Sequence, residues 1–162
     1  MAISKQDRRY LILCDEVRQN SHDPDRKVGA VIAGDDQILA VGTNAPPSAL
    51  GLTVAESHEA MRRDPNWKYF VLEHAERNAI FAANAQEKSL IGATMYGSLF
   101  PCADCARAIV ASGLSRLVVP ATQPDPIRDA KWMDHYYHAE RILTLAGIVV
   151  DVVSPERAKA AD

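Results

Sequence analysis

Two short motifs in this chain have to meet in space, and that requirement constrains the fold more than any other feature. The first is His74-Ala75-Glu76; the second is Pro101-Cys102-Ala103-Asp104-Cys105. One imidazole and two thiols suit a catalytic zinc (Zn2+), which takes three protein ligands and keeps a fourth position for water, whereas a structural zinc is closed by four. His74, Cys102 and Cys105 are the three candidate ligands. Glu76, two residues from His74, can share the cavity without being a ligand. Zinc lowers the pKa of bound water, and a neighbouring carboxylate can carry protons as general base and acid.

The spacing tells how the two motifs are presented. Cys-x-x-Cys at the start of a helix lets both sulfurs grip one ion, and the helix N-terminus favours thiolate. Pro101 suits a helix entrance, because proline lacks the N–H that would be orphaned there. The segment Asp104 to Ala111 is compatible with a helix, and Gly113 is a C-terminal stop. Glu73 to Ala85 reads as an alanine-rich helix, with His74 at its start facing the cysteine helix. A lone Cys-x-x-Cys is also the mark of a redox pair or of half a structural zinc site. A redox pair leaves His-Ala-Glu unexplained, and a closed zinc needs a fourth ligand. The remaining cysteine, Cys14, lies far upstream in an amphipathic stretch and reads as a small buried hydrophobe.

At 162 residues the chain suits one domain, expected over 1–153, followed by a polar tail over 154–162. Hydrophobic content of 48% and charged content of 24% are those of a globular protein. A net charge of −3 argues against a broad basic footprint, so no nucleic-acid partner is expected. No apolar run approaches a membrane span, and no apolar signal core opens the chain. The cysteine usage fits a reducing cytoplasm.

Asp7 to Asn20 carries a helical stripe, with Tyr10, Leu11, Leu13, Cys14 and Val17 on one side. Val28 to Ala33 and Ile38 to Gly42 read as strands joined by a turn at Gly34-Asp35-Asp36. Thr43 to Asn66 reads as loop-rich. Thr94 to Leu99, Leu117 to Val119 and Ile148 to Val153 read as further strands, with a helix over Ile127 to Ala146. Strands alternating with helices imply crossovers and a mostly parallel sheet covered on both faces. The first pair is expected antiparallel and the last two strands parallel.

His-x-Glu followed by Pro-Cys-x-x-Cys matches the zinc deaminase pattern. From about Tyr10 to about Val153 the chain resembles the deoxycytidylate (dCMP) deaminase branch of the cytidine deaminase superfamily. The resemblance rests on His74-Ala75-Glu76-Arg77-Asn78-Ala79-Ile80, on Leu99-Phe100-Pro101-Cys102 through Cys105-Ala106, and on Asp23-Pro24 with Val28-Gly29-Ala30-Val31-Ile32. It implies a three-layer α/β/α cytidine deaminase-like fold with a five-stranded mixed sheet. It implies zinc on His74, Cys102 and Cys105, with Glu76 as proton shuttle. It implies a free cytosine nucleotide as substrate, dCMP to dUMP with loss of ammonia, and a homo-oligomer, a dimer or hexamer. Asn44 matches the asparagine of the branch's Gly-Tyr-Asn-Gly motif, which reaches the substrate sugar. The backbone around Ala75 and Cys102 would receive the ring's polar edge, and a carbonyl near Ser98 or Leu99 the amine.

Here the loop reads Gly42-Thr43-Asn44-Ala45-Pro46-Pro47-Ser48, with alanine in place of a glycine and no arginine after the prolines. A phosphate would have to find Arg26, Lys27, Arg128 or Lys131, so a weaker preference for dCMP over deoxycytidine is expected. Other amine-bearing substrates, a nucleoside, a free base or a modified pyrimidine, would use the same chemistry. A nucleic-acid editing enzyme and a zinc module for association are further alternatives. Trp132, Tyr136 and Tyr137 fit either stacking on a base or packing of the last helix. His22, His58, His135 and His138 lack companions at ligand spacing.

Overall fold

The computed structural model describes residues 3–154. The expected tail, 154–162, lies outside the described residues except for Ser154. Helix α1 (Lys5–Val17) opens on a capping box: Ser4 Oγ accepts from the Asp7 N–H, and the Asp7 carboxylate accepts from the Ser4 N–H. Strands β1 (Gly29–Gly34) and β2 (Gln37–Thr43) form the expected hairpin. Its turn residues Asp35 and Asp36 have φ of 48° and 60°, a region that aspartate tolerates. There follow α2 (Val54–Arg63), α3 (Trp67–Val71), α4 (Ala75–Ala85), β3 (Thr94–Gly97), α5 (Ala103–Ala111), β4 (Arg116–Pro120), α6 (Pro126–Leu145) and β5 (Val149–Val153).

The five strands lie in the order β2-β1-β3-β4-β5. Strand β1 runs antiparallel to both β2 and β3, while β3-β4 and β4-β5 are parallel. The sheet is mixed, and its last two strands are parallel. The expectation of a mostly parallel sheet holds only for the β3-β4-β5 half, because the hairpin joins β3 through β1 rather than through β2.

Strand side chains alternate between two cores, as the two-residue repeat of a strand requires. Ala30, Ile32, Met95, Leu117 and Val119 face Ala79 and Ile80 of α4, Ala106 and Ile109 of α5, and Leu143 of α6. Val31, Ala33, Tyr96 and Val118 face Tyr10 and Cys14 of α1. The result is three layers. Helix α1 lies close on β1 because residue 29 is glycine: a Cβ there would stand 2.2 Å from the Cys14 carbonyl oxygen. Cys14 is fully buried, and burial pushes its thiol up to about 12.

The stretch Thr43 to Asn66 is less irregular than expected, because it contains α2. That helix begins on a second capping box, Thr53 with Glu56. It buries only Ser57 and Met61, so it carries no broad apolar stripe for periodicity to detect. The Thr-x-x-Glu spacing was the available signal.

Candidate metal centre and active-site cleft

Both motifs sit at helix starts. His74 is the N-cap of α4 and Cys102 the N-cap of α5. The His74 Nδ1 lies 3.5 Å from the Cys102 Sγ and 3.5 Å from the Cys105 Sγ. All three ligand atoms fall within 4.8 Å of one another. A nitrogen and a sulfur bound tetrahedrally to one zinc stand about 3.6 Å apart, so the donor spacing matches. The two sulfurs also act on one another. Cys102 is lowered to about 4, first by the Cys105 S–H and, against burial, by His74 and the Cys105 N–H. Cys105 is pushed the other way by Cys102, by burial and by the charge of Glu76. The two sulfurs thus share one proton, which a metal ion binding both as thiolates would displace.

Glu76 is 5% exposed and lines the same cleft. Burial raises its pKa, opposed by its own backbone N–H and by His74. A carboxyl moved towards neutrality is suited to taking and returning a proton.

The start of α4 is held from two sides. The Glu73 carboxylate accepts from the His74 N–H at 2.9 Å and from Arg77 Nε at 2.6 Å. The Glu73 backbone exchanges two hydrogen bonds with Ala45. Asn78 Nδ2 donates to the carbonyls of Thr43 and Ala45. Strand β2 ends directly against α4 because residue 42 is glycine: a Cβ there would lie 2.3 Å from the Ala75 carbonyl oxygen. Asn44 follows. Its Oδ1 accepts from Ser21 Oγ at 2.6 Å and from the Val28 N–H at 2.9 Å, and its Nδ2 donates to the Arg26 carbonyl at 2.8 Å. A carboxamide has two acceptor sites and two N–H groups. One N–H of Asn44 therefore remains for anything in the cleft.

The cleft has a volume of about 530 Å³. Asn44, Ala75, Leu99 and Trp132 line it with the metal-centre residues. Ser98 is not among the lining residues; its hydroxyl accepts the Gly29 N–H at 3.0 Å and fastens β3 to β1. The Trp132 ring is edge-on to His74, with centroids 6.4 Å apart. Tyr136 also lines the cleft and meets Phe100 edge-to-face, whereas Tyr137 is 55% exposed and stands outside it. His135 lines the wall; His22 instead faces Ser57 Oγ at 2.7 Å. The sequence reading missed Lys68 and Tyr69, which α3 brings to the mouth. No motif marks them; they lie just past the Thr43 to Asn66 stretch read as loop-rich, in a short helix that was not expected.

Residues 4–121 match the family described as cytidine and deoxycytidylate deaminase zinc-binding region. The chain is 31% identical over 148 residues to the Aliivibrio fischeri protein named "Uncharacterized deaminase in luxG 3'region", spanning 91% of this chain and 93% of that one. It is 28% identical over 142 residues to deoxycytidylate deaminase of Homo sapiens, spanning 87% and 75%. The apo dCMP deaminase of cyanophage S-TIM5 superposes with a TM-score of 0.68 at 20% identity, covering 93% of this chain and 100% of that one, a likeness of fold. The matched region contains both motifs whose side chains converge on the cleft, and the chain belongs to the cytidine and deoxycytidylate deaminase family, on its deoxycytidylate branch, as a zinc-dependent deaminase.

Proposed function

We propose that the chain deaminates a free cytosine nucleotide, dCMP to dUMP, with water consumed and ammonia released. The observation that carries the chemistry is the buried Glu76 carboxylate in one cleft with His74, Cys102 and Cys105. For the substrate, support comes from the human relative's name and from the cyanophage enzyme, whose structure was also determined with dCMP and dUMP. His74, Cys102 and Cys105 would hold the zinc, which when bound supplies a Lewis acid that activates water. Glu76 moves the protons: it takes one from water and places it on ring nitrogen N3 as the water oxygen bonds to C4, then carries the proton of the new C4 hydroxyl to the amine as the C4–N bond breaks and ammonia leaves. Ala75 and Leu99 border the ring, Trp132 walls it beside His74, and the spare N–H of Asn44 faces the sugar.

A panel of dCMP, CMP, deoxycytidine and cytosine, scored for ammonia release, tests this reading. The highest kcat/KM is expected on dCMP. Release from none of them would transfer the chemistry to another amine-bearing ring. We also infer a homo-oligomer, a dimer or hexamer, in the cytoplasm. Phe70 and Ile127, 85% and 88% exposed, are apolar groups that association would cover. No helix among the described residues is long and apolar enough to cross a membrane.

A further inference from the structure

Five cationic side chains line the cleft: Arg26, Lys68, Arg77, Arg128 and Lys131. Lys68 lies between Asp23 and Asp25, at 3.1 and 3.2 Å. Arg77 is paired with Glu73. Arg128 is paired with Asp129 through Nε and Nη2, and its Nη2 also donates to the Gln123 carbonyl, which leaves Nη1 over. Arg26 and Lys131 form no ion pair among the described residues. The carboxylates of the cleft have other partners. Lys68 serves Asp23 and Asp25, Arg107 serves Asp104, and Asp125 accepts the Ile127 and Arg128 N–H groups at the start of α6. Arg26 and Lys131 are thus the lining cations that have no carboxylate partner among the described residues, and Lys131 donates to the Tyr69 hydroxyl.

Arg26 is also the best placed of the unpaired cations. Its N–H donates to Asp23 Oδ1 at 3.2 Å, and its carbonyl accepts from Asn44 Nδ2 at 2.8 Å. The backbone carrying Arg26 is thus bonded to the residue assigned to the sugar, and in a nucleotide the phosphate follows the sugar by one ester bond. From α6, Arg128 and Tyr136 line the same cleft as Arg26 and Cys102. Both guanidiniums therefore border the cleft that holds His74 and Cys102. Lys27, by contrast, is exposed and does not line the cleft.

We propose that Arg26 receives a phosphate monoester of the substrate, with Arg128 as a second donor from α6, and that this pair selects nucleotide over nucleoside where the loop after Pro46-Pro47 lacks an arginine. The proposal rests on the reading of the substrate as a nucleotide. Guanidinium is suited to the task, because its planar fork matches phosphate oxygens two at a time and its charge strengthens each hydrogen bond. Arg128 lies beyond residue 121, where the match to the family's zinc-binding region ends.

The test compares Arg26→Ala, Arg26→Lys and Lys27→Ala with the wild type. The kcat/KM ratio of dCMP to deoxycytidine is expected to fall at least tenfold in Arg26→Ala, mainly through KM, and to recover in part in Arg26→Lys. Lys27→Ala should keep the wild-type ratio. Ribose 5-phosphate, which carries no base, should bind Arg26→Ala at least tenfold more weakly by calorimetry. An equal fall on both substrates would reveal a structural role through Asn44 and overturn the proposal, as would an unchanged ratio. If dCMP is not deaminated at all, the nucleotide reading fails, and ribose 5-phosphate decides alone. Equal binding to wild type and Arg26→Ala then overturns the phosphate receptor, and weakened binding upholds it.

Discussion

Glu76 is where binding and chemistry can be pulled apart. Glutamine has the same shape and cannot take a proton. Glu76→Gln is expected to retain one zinc per chain by elemental analysis and to lose turnover by roughly 10²–10⁴-fold, the contribution of a positioned proton carrier. Full turnover in that variant would remove Glu76 from the mechanism. At this scale the metal set was legible, because imidazole, carboxylate and paired thiols at fixed spacing have few other uses. Asn44 was less so. Its amide makes three internal hydrogen bonds, reaching Ser21, Val28 and Arg26, before it can touch a ligand. A carbonyl near Ser98 or Leu99 was expected at the amine end; the Ser98 side chain itself accepts the Gly29 N–H, 69 residues away in sequence. Contacts of that range leave no local pattern.

At the scale of elements, the site depends on how β2 meets α4. Any side chain on residue 42 collides with the first turns of α4, since a Cβ would also stand 2.4 Å from the Ala79 nitrogen. Gly42→Ala should therefore push α4 away and move His74 relative to the two sulfurs. Overpacking of this kind costs about 1–3 kcal/mol. A lowered Tm together with reduced zinc retention on dialysis is expected; an unchanged Tm would mean that the contact yields freely. The strands were readable from alternation and the zinc helices from their motifs. Helix α2 was not, because its exposed surface erases the apolar stripe, and α3 has only the five residues Trp67–Val71. Sequence showed neither helix, and so not that α3 sets Lys68 and Tyr69 against the cleft.

At the scale of the whole molecule, one buried network ties the ends of the chain together. Asp7 of α1 accepts from Arg116 of β4 at 2.7 and 3.2 Å and from the Tyr96 hydroxyl of β3 at 2.8 Å, while Arg116 also reaches Asp151 of β5. Burial works against the Asp7 charge, but Arg116, the Ser4 backbone N–H and the Tyr96 hydroxyl hold its carboxyl well below the usual carboxylate range. A depressed carboxylate stabilises the fold above its unfolded pKa of about 3.9, and that stability is lost as pH falls through the lower folded value. Asp7→Asn should therefore cost about 1–3 kcal/mol at pH 7, as expected when a buried hydrogen-bonded charge is removed. Its urea midpoint should converge on that of the wild type as pH drops below about 4. Parallel curves at all pH values would show that the charge of Asp7 contributes nothing. The same molecule treats α6 quite differently. Of its 20 residues only Ala139 and Leu143 are buried, both in the second half, while the first half supplies Arg128, Lys131 and Trp132 to the cleft. In evolutionary terms, the proposed division of labour would write the reaction into the protein's interior and the choice of substrate into a mostly exposed helix. Descendants are free to rewrite the second without disturbing the first.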